Sequence, residues 1–122
     1  SVKFETMKKE YDVLPVLYEK IITAFEYYRL NYKGGTLTND LLKFIADAKN
    51  YITLNKFFIS SEIFDKSKEC EESIFDYLHI KSEDRAKGSA RDIYLQSEIR
   101  RLENKIDSLI DDLEILIQNK LH

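Results

Sequence analysis

The stretch that decides the fold is LQSEIRRLENKIDSLIDDLEILI, residues 95–117. Apolar residues recur along it in alternating steps of four and three, at Leu95, Ile99, Leu102, Ile106, Leu109, Leu113 and Leu116. This spacing places them on one face of an α-helix, and Ile110 and Ile117 widen that face to three positions per heptad. The stretch therefore predicts a long amphipathic helix that packs against other helices through this face.

A second apolar stripe of the same kind opens the chain. Its members alternate by three and four residues, at Phe4, Met7, Tyr11, Leu14, Tyr18, Ile21, Phe25, Tyr28 and Tyr32. Pro15 falls inside the stripe, where it removes one backbone hydrogen bond and favours a kink. Gly34 and Gly35 follow, and a glycine in this place can end a helix. We therefore expect a first helix over about 3–33.

Two shorter helical patterns lie between the long ones. Thr38 is a candidate N-cap for a helix over about 39–54, and Ser60 for a helix over about 61–79. The four residues between these helices, Lys-Phe-Phe-Ile at 56–59, are too apolar for a solvated loop, so we expect them to fold over the end of the bundle. Residues 81–90 have little to bury and predict a mobile connection to a fourth helix over about 91–121.

These patterns together predict one all-α domain over residues 1–122, an antiparallel up-down-up-down four-helix bundle. At 1.5 Å per residue the long first and fourth helices reach roughly 45 Å, and the middle pair only about 25 Å. The surplus length predicts a coiled-coil-like stalk in which residues 3–14 pair with about 107–121. Because a two-helix seam covers only two positions per heptad, Ile110 and Ile117 are expected to be partly exposed there. This exposure motivates a predicted homodimer through the stalk.

The composition limits the classes of partner. The 122 residues include 19 Lys and Arg and 22 Asp and Glu, a net charge of −3, with both signs interleaved. This distribution offers no basic surface for phosphates, so we expect no nucleic acid partner. Cys70 is the only cysteine, which excludes an internal disulfide. No apolar window approaches the roughly 18 to 20 residues of a membrane span, and the chain as given is expected to be soluble.

The residues that carry chemistry are few, and their spacing does not favour a reaction. Asp76 and His79 have the spacing of a bundle metal motif, but no second copy occurs. Cys70 and His79 are separated by about 13 Å of helix rise, beyond hydrogen-bond reach. Glu71, between Glu69 and Glu72, is interpreted as part of a solvated face. We therefore predict no enzyme, with no catalytic, cofactor-binding or metal-binding residues and no cofactor.

Two motifs give the chain a resemblance to known proteins. The first is Tyr11-x-x-Leu14-x-x-Leu17-Tyr18-x-x-Ile21, and the second is Tyr51-x-x-Leu54-Asn55-Lys56-Phe57-Phe58-Ile59-Ser60-x-Glu62, ahead of a leucine-rich terminal helix. With them the chain resembles the soluble helical region of a widespread group of small uncharacterised bacterial proteins, which often have one N-terminal membrane helix. The resemblance implies a membrane tether upstream of Ser1 and a cytoplasmic location, at the inner face of the cell membrane. It implies no activity.

These observations lead to one functional prediction and one alternative. We predict a non-enzymatic helical interaction module, the cytosolic part of a membrane-tethered bacterial protein, which binds an unknown protein partner through its helical surfaces. The alternative is a small-ligand sensor or antitoxin-like binding domain with a site between helices. A large internal cavity lined by Tyr18, Tyr28 and Tyr51 would favour this alternative.

Overall fold

The computed structural model describes residues 2–31, 39–87 and 92–121, and the side chains of 8–27, 42–84, 86–87 and 92–121. This part of the chain contains no strand, and its helices are α1 (Val2–Asn31), α2 (Asn39–Leu54), α3 (Ser61–Ala86) and α4 (Ile93–Leu121), with a 3₁₀ turn at Lys56–Phe58. The prediction of an all-α chain with four helices is therefore confirmed. Of the described helices, none has the length and apolar character that crossing a membrane requires.

The third helix is longer than predicted. It was expected to end near His79, but α3 continues to Ala86, so most of the expected mobile connection is helical. The added turns are held by polar contacts with the start of α4. The Gln96 amide donates a hydrogen bond to Oδ1 of Asp84 at 2.8 Å, and Lys87 pairs with Asp92 at 2.8 Å. The apolar pattern gave no sign of this extension because these contacts involve no apolar side chain.

Local capping explains where α3 and α4 begin. Ser60 precedes α3, and its Oγ accepts a hydrogen bond from the backbone N–H of Ile63 at 3.4 Å, as an N-cap does. Asp92 has the same role for α4, because its Oδ1 accepts from the backbone N–H of Leu95 at 3.2 Å. The other predicted cap, Thr38, and the glycine turn at 34–35 lie outside the described residues.

The first helix continues through Pro15. Pro15 itself is exposed, whereas Leu14 and Leu17 on either side of it are fully buried. A proline on the solvent side of a helix leaves a carbonyl that water can reach, which lowers the cost of the missing hydrogen bond. The apolar face of α1 is therefore kept intact on both sides of the proline.

One apolar cluster forms the core, and all four helices contribute to it. Its most deeply buried members are Leu14, Leu17, Ile21 and Phe25 of α1, Ile52 of α2, Ile63, Ile74 and Leu78 of α3, and Ile106 and Leu113 of α4. Burial of each such side chain stabilises the fold by about 1.5 to 3 kcal/mol. The Phe25 ring also meets the Tyr77 ring edge to face, with 5.9 Å between centroids. The core therefore joins α1 directly to α3.

Polar contacts connect α3 with α4 along their lengths. Lys66 pairs with Asp112 at 3.4 Å, and Glu69 pairs with Lys105 at 3.6 Å. The residue number thus falls along α4 as it rises along α3. Exposed ion pairs of this kind contribute little stability, about 0 to 1 kcal/mol each. They show how the two helices are aligned but do little to stabilise that alignment.

The predicted partial exposure of Ile110 and Ile117 is wrong. The two side chains are only 9% and 5% exposed, because the beginning of α3 lies beside this part of α4, as the ion pair between Lys66 and Asp112 shows. The first turns of α3 cover the third position of each heptad that a two-helix seam would leave open. The exposure that motivated a homodimer is therefore absent.

The turn between α2 and α3 folds over the end of the bundle with two of its three apolar residues. Ile59 belongs to the buried core, and Phe58 packs against it with Lys9 Nζ 5.9 Å from the centre of its ring. Phe57, in contrast, is 90% exposed. The prediction for residues 56–59 is therefore correct for Phe58 and Ile59 and wrong for Phe57.

Ser67 provides a test of the core packing. This residue of α3 is fully buried, and its hydroxyl has no hydrogen-bond partner among the described residues. A buried polar group without a partner costs about 1 to 3 kcal/mol. We expect Ser67→Ala to raise the free energy of unfolding by about 1 kcal/mol in chemical denaturation. Ser108→Ala, at an exposed position of α4, controls for the higher helix propensity of alanine. Equal gains in both variants would contradict the burial of Ser67.

Candidate functional site

An open cleft of about 520 Å³ lies between α2 and α3. Its lining comes from one face of each helix, with residues three or four positions apart: Leu42, Ile45, Ala46 and Lys49 of α2, and Lys68, Glu71, Glu72, Phe75 and Asp76 of α3. The volume falls within the range of roughly 300 to 1,000 Å³ that binding sites for small molecules have. We take this α2–α3 cleft as the candidate functional site.

Both walls of the cleft carry apolar side chains among charged ones, and some of the apolar side chains are open to solvent. Leu42 of α2 and Phe75 of α3 are 40% and 39% exposed, although both belong to residue types that usually pack inside. Ile45 is buried at the base of the α2 wall. On the α3 side the Phe75 ring packs edge to face against the His79 ring, with 4.4 Å between centroids. The cleft therefore offers an apolar surface that no described part of the chain covers.

Glu71 is the one charged residue at the base of the cleft that is almost completely buried. It is only 7% exposed, whereas its neighbours Glu69 and Glu72 are exposed. Behind it lies a tight apolar space between α1, α2 and α3, lined by Ile21, Ala24, Ile45, Ala48 and Ile74. Among the described residues, none forms a hydrogen bond or an ion pair with the Glu71 carboxyl. The interpretation of Glu71 as part of a solvated face is therefore wrong.

Burial also changes the acidity of this carboxyl. It raises the pKa of Glu71 above its usual value of 4.5, because the charged form is poorly solvated there. Lys68 and Lys49 act in the opposite direction, while Glu72 and Asp76 add to the rise. The effect of burial is the largest of these and sets the direction of the shift. An ionised Glu71 is therefore costly unless a hydrogen-bond donor or a cation reaches it from the cleft.

Tyr18 and Tyr51, two of the three tyrosines whose shared cavity would favour the ligand-site alternative, lie outside the lining of the cleft. The Tyr18 hydroxyl donates a hydrogen bond to Glu114 at 3.4 Å, and burial, followed by the charge of Glu114, raises the pKa of Tyr18. The Tyr51 hydroxyl donates to the backbone carbonyl of Val13 at 3.5 Å. Both groups connect helices, and neither lines the α2–α3 cleft. The side chain of Tyr28 lies outside the described residues.

The residues weighed for catalysis or metal binding are placed as follows. Cys70 is completely buried, and burial raises the pKa of its thiol to about 12, so that it stays protonated at neutral pH. Asp76 lines the α2–α3 cleft, and His79 is exposed and stacks against Phe75. Within the described residues, no three side chains of His, Cys, Asp or Glu are grouped to hold a metal ion.

Comparisons with protein-family models, with curated proteins and with solved structures found no match to this chain.

Glu71 gives the cleft a measurable pH dependence. Its pKa is higher in the folded than in the unfolded state, so the folded state holds the proton more tightly and loses stability as the pH rises through the folded pKa. We expect Glu71→Gln to raise the free energy of unfolding by about 1 kcal/mol at neutral pH, because the variant no longer buries a charge. The gain should shrink towards about pH 4, where the wild-type carboxyl is protonated.

Glu72→Gln is the matched control, because Glu72 is the exposed neighbour on the same helix. Urea denaturation of the three proteins at both pH values measures the difference. A gain from Glu71→Gln that is the same at both pH values, or that Glu72→Gln reproduces, would contradict the burial of an ionised Glu71.

Proposed function

We propose that this chain is a non-enzymatic helical interaction module whose α2–α3 cleft receives the apolar face of one helix from a partner protein. The observation that carries the proposal is an open cleft in which Leu42 and Phe75, on opposite walls, are both partly exposed. Amphipathic helices bind in such grooves through side chains three, four and seven positions apart. Phe75 is the expected anchor, since aromatic residues dominate the binding energy of many interfaces.

The scaffold that holds the cleft is part of this proposal. An antiparallel up-down-up-down arrangement is supported by contacts between α1 and α2, where Lys20 pairs with Asp47 at 2.6 Å and Tyr51 reaches back to Val13. A coiled-coil-like pairing of α1 with α4 is supported by the ion pair between Glu10 and Lys120 at 3.8 Å. In this arrangement α1 packs against α2 and α3, and α4 packs against α3. These contacts fix the positions of the two helices that line the cleft.

The proposed setting is the cytoplasmic face of a bacterial membrane, with a tether upstream of Ser1. Its support is the resemblance carried by the motifs around Tyr11 and Tyr51. Translation of the gene in frame upstream of the codon for Ser1 tests this setting directly. An apolar stretch of about 20 residues is expected there, and a start codon without such a stretch would contradict the tether.

The homodimer also remains a prediction, although the exposed side chains that motivated it are absent. Ile110 and Ile117 are buried within the chain, and the apolar side chain of this part of α4 that is still open to solvent is Ile115, at 56% exposure. Sedimentation at micromolar concentration distinguishes the two states. A monomeric mass would contradict the dimer without affecting the proposed cleft.

A second candidate function is supported by the size of the cleft. At about 520 Å³ it has room for a small molecule, as the hypothesis of a ligand site between helices requires. The site would then lie between α2 and α3, and not among the tyrosines of α1. A small ligand would fill the cleft without the extended contact along both walls that a helix makes.

The proposed helix docking is tested with amphipathic helical peptides selected from a displayed library against the whole chain. We expect Phe75→Asp to weaken the selected peptides at least about 10-fold, because the change places a charge in the apolar wall. Phe57→Asp is the matched control, since Phe57 is exposed but lies outside the cleft. Circular dichroism establishes that both variants remain folded. Peptides that bind Phe75→Asp as tightly as the wild type would contradict docking in the cleft.

A further inference from the structure

Glu71 is the feature of the cleft that apolar docking does not explain. An apolar helix face would bind more readily over an apolar floor, because it would then not have to cover a carboxyl group. The enclosing residues Ile21, Ala24 and Ile74 come from α1 and α3 and offer no hydrogen-bond donor on their side chains. Lys49 and Lys68 line the cleft but form no ion pair with Glu71, so a partner for its carboxyl has to come from the cleft side.

We infer that the cleft recognises the ammonium group of a lysine on the partner helix, which enters between Leu42 and Phe75 and pairs with Glu71. The inference rests on the proposed function, because it names the chemistry of the partner that the same cleft receives. A lysine side chain combines an apolar stem of four carbons with a compact charge at its end. The stem would contact the apolar walls, and the ammonium would reach the buried carboxyl.

The charges around the cleft favour a cation over an anion or a neutral group. Lys68 and Lys49 act on the Glu71 carboxyl more strongly than Glu72 and Asp76 do, but the lining of the cleft as a whole holds two positive and three negative side chains. Lys49 and Lys68 attract Glu71, but neither forms an ion pair with it. An anion in this position would meet three carboxyl groups. A single positive charge on the partner therefore gives the best electrostatic complement.

A buried ion pair of this kind contributes more to the selectivity of binding than to its affinity. The pair gains strength from the low dielectric of the closed cleft, but removal of water from both charges offsets much of that gain. A partner helix with a neutral residue in place of the lysine would leave Glu71 buried without a counter-charge. The cleft would thus reject partners that have the correct apolar pattern but lack the lysine.

The test is a double-mutant cycle between the chain and helical peptides. The peptides are selected on the whole wild-type chain from a library with lysine fixed at the centre of the apolar face, and each is compared with its Lys→Met variant. We expect Lys→Met to weaken binding to the wild-type chain about 10-fold or more and to have little effect on binding to Glu71→Gln. Glu72→Gln is the matched control and should behave as the wild type does. Isothermal titration calorimetry measures the affinities of both peptides for the wild type, Glu71→Gln, Glu72→Gln and Phe75→Asp.

The outcomes separate this inference from the proposed function. If the peptides require Phe75 but Lys→Met weakens them equally on the wild type and on Glu71→Gln, the inference is wrong and docking in the cleft remains. If Glu72→Gln removes the effect of Lys→Met as fully as Glu71→Gln does, the lysine pairs with the exposed rim and the inference is also wrong. If binding is independent of Phe75, the proposed function itself fails. Only coupling specific to Glu71, in peptides that also require Phe75, supports the lysine site.

Discussion

Burial of the apolar face of α4 is the constraint on which the rest of the structure depends. That face is three positions wide in each heptad, and Ile106 and Leu113 at its centre are completely buried. One neighbouring helix cannot cover such a width, so both α1 and α3 must lie along it. The shorter α2 packs more on α1 than on α3, and the space left between α2 and α3 is the cleft.

The cleft combines two features that reduce the stability of the isolated chain. Leu42 and Phe75 leave apolar surface in contact with water, and Glu71 holds a carboxyl group where water is largely excluded. A leucine-like side chain at position 71 would remove the cost of the buried carboxyl group. A site that has both exposed apolar side chains and a buried carboxyl group is suited to a partner that covers the apolar side chains and brings a positive charge.

The sequence predicts the four helices because each has a regular apolar face, and it predicts the start of α3 because Ser60 is a capping residue beside such a face. It does not predict the end of α3, where the apolar pattern stops after Leu78 and contacts such as that of Asp84 with Gln96 continue the helix. Glu71 was missed for a related reason. Glu69 and Glu72 on either side of it are charged and exposed, and the burial of Glu71 depends on where α1 and α2 meet α3, which a local pattern cannot show. The spacing of Ser67, Glu71 and Ile74 by four and three residues was the available signal.

Two aspartate substitutions on α4 test whether the fold depends on burial of the apolar face of this helix. Ile106 is completely buried at the centre of the bundle, and Ile115, on the same helix, is mostly exposed. An unpaired charge at position 106 costs several kcal/mol, a large part of the roughly 5 to 15 kcal/mol that stabilises a domain. Thermal unfolding followed by circular dichroism should therefore show loss of the cooperative transition in Ile106→Asp and its retention in Ile115→Asp. A melting temperature for Ile106→Asp close to that of the wild type would contradict the dependence of the fold on the buried face of α4.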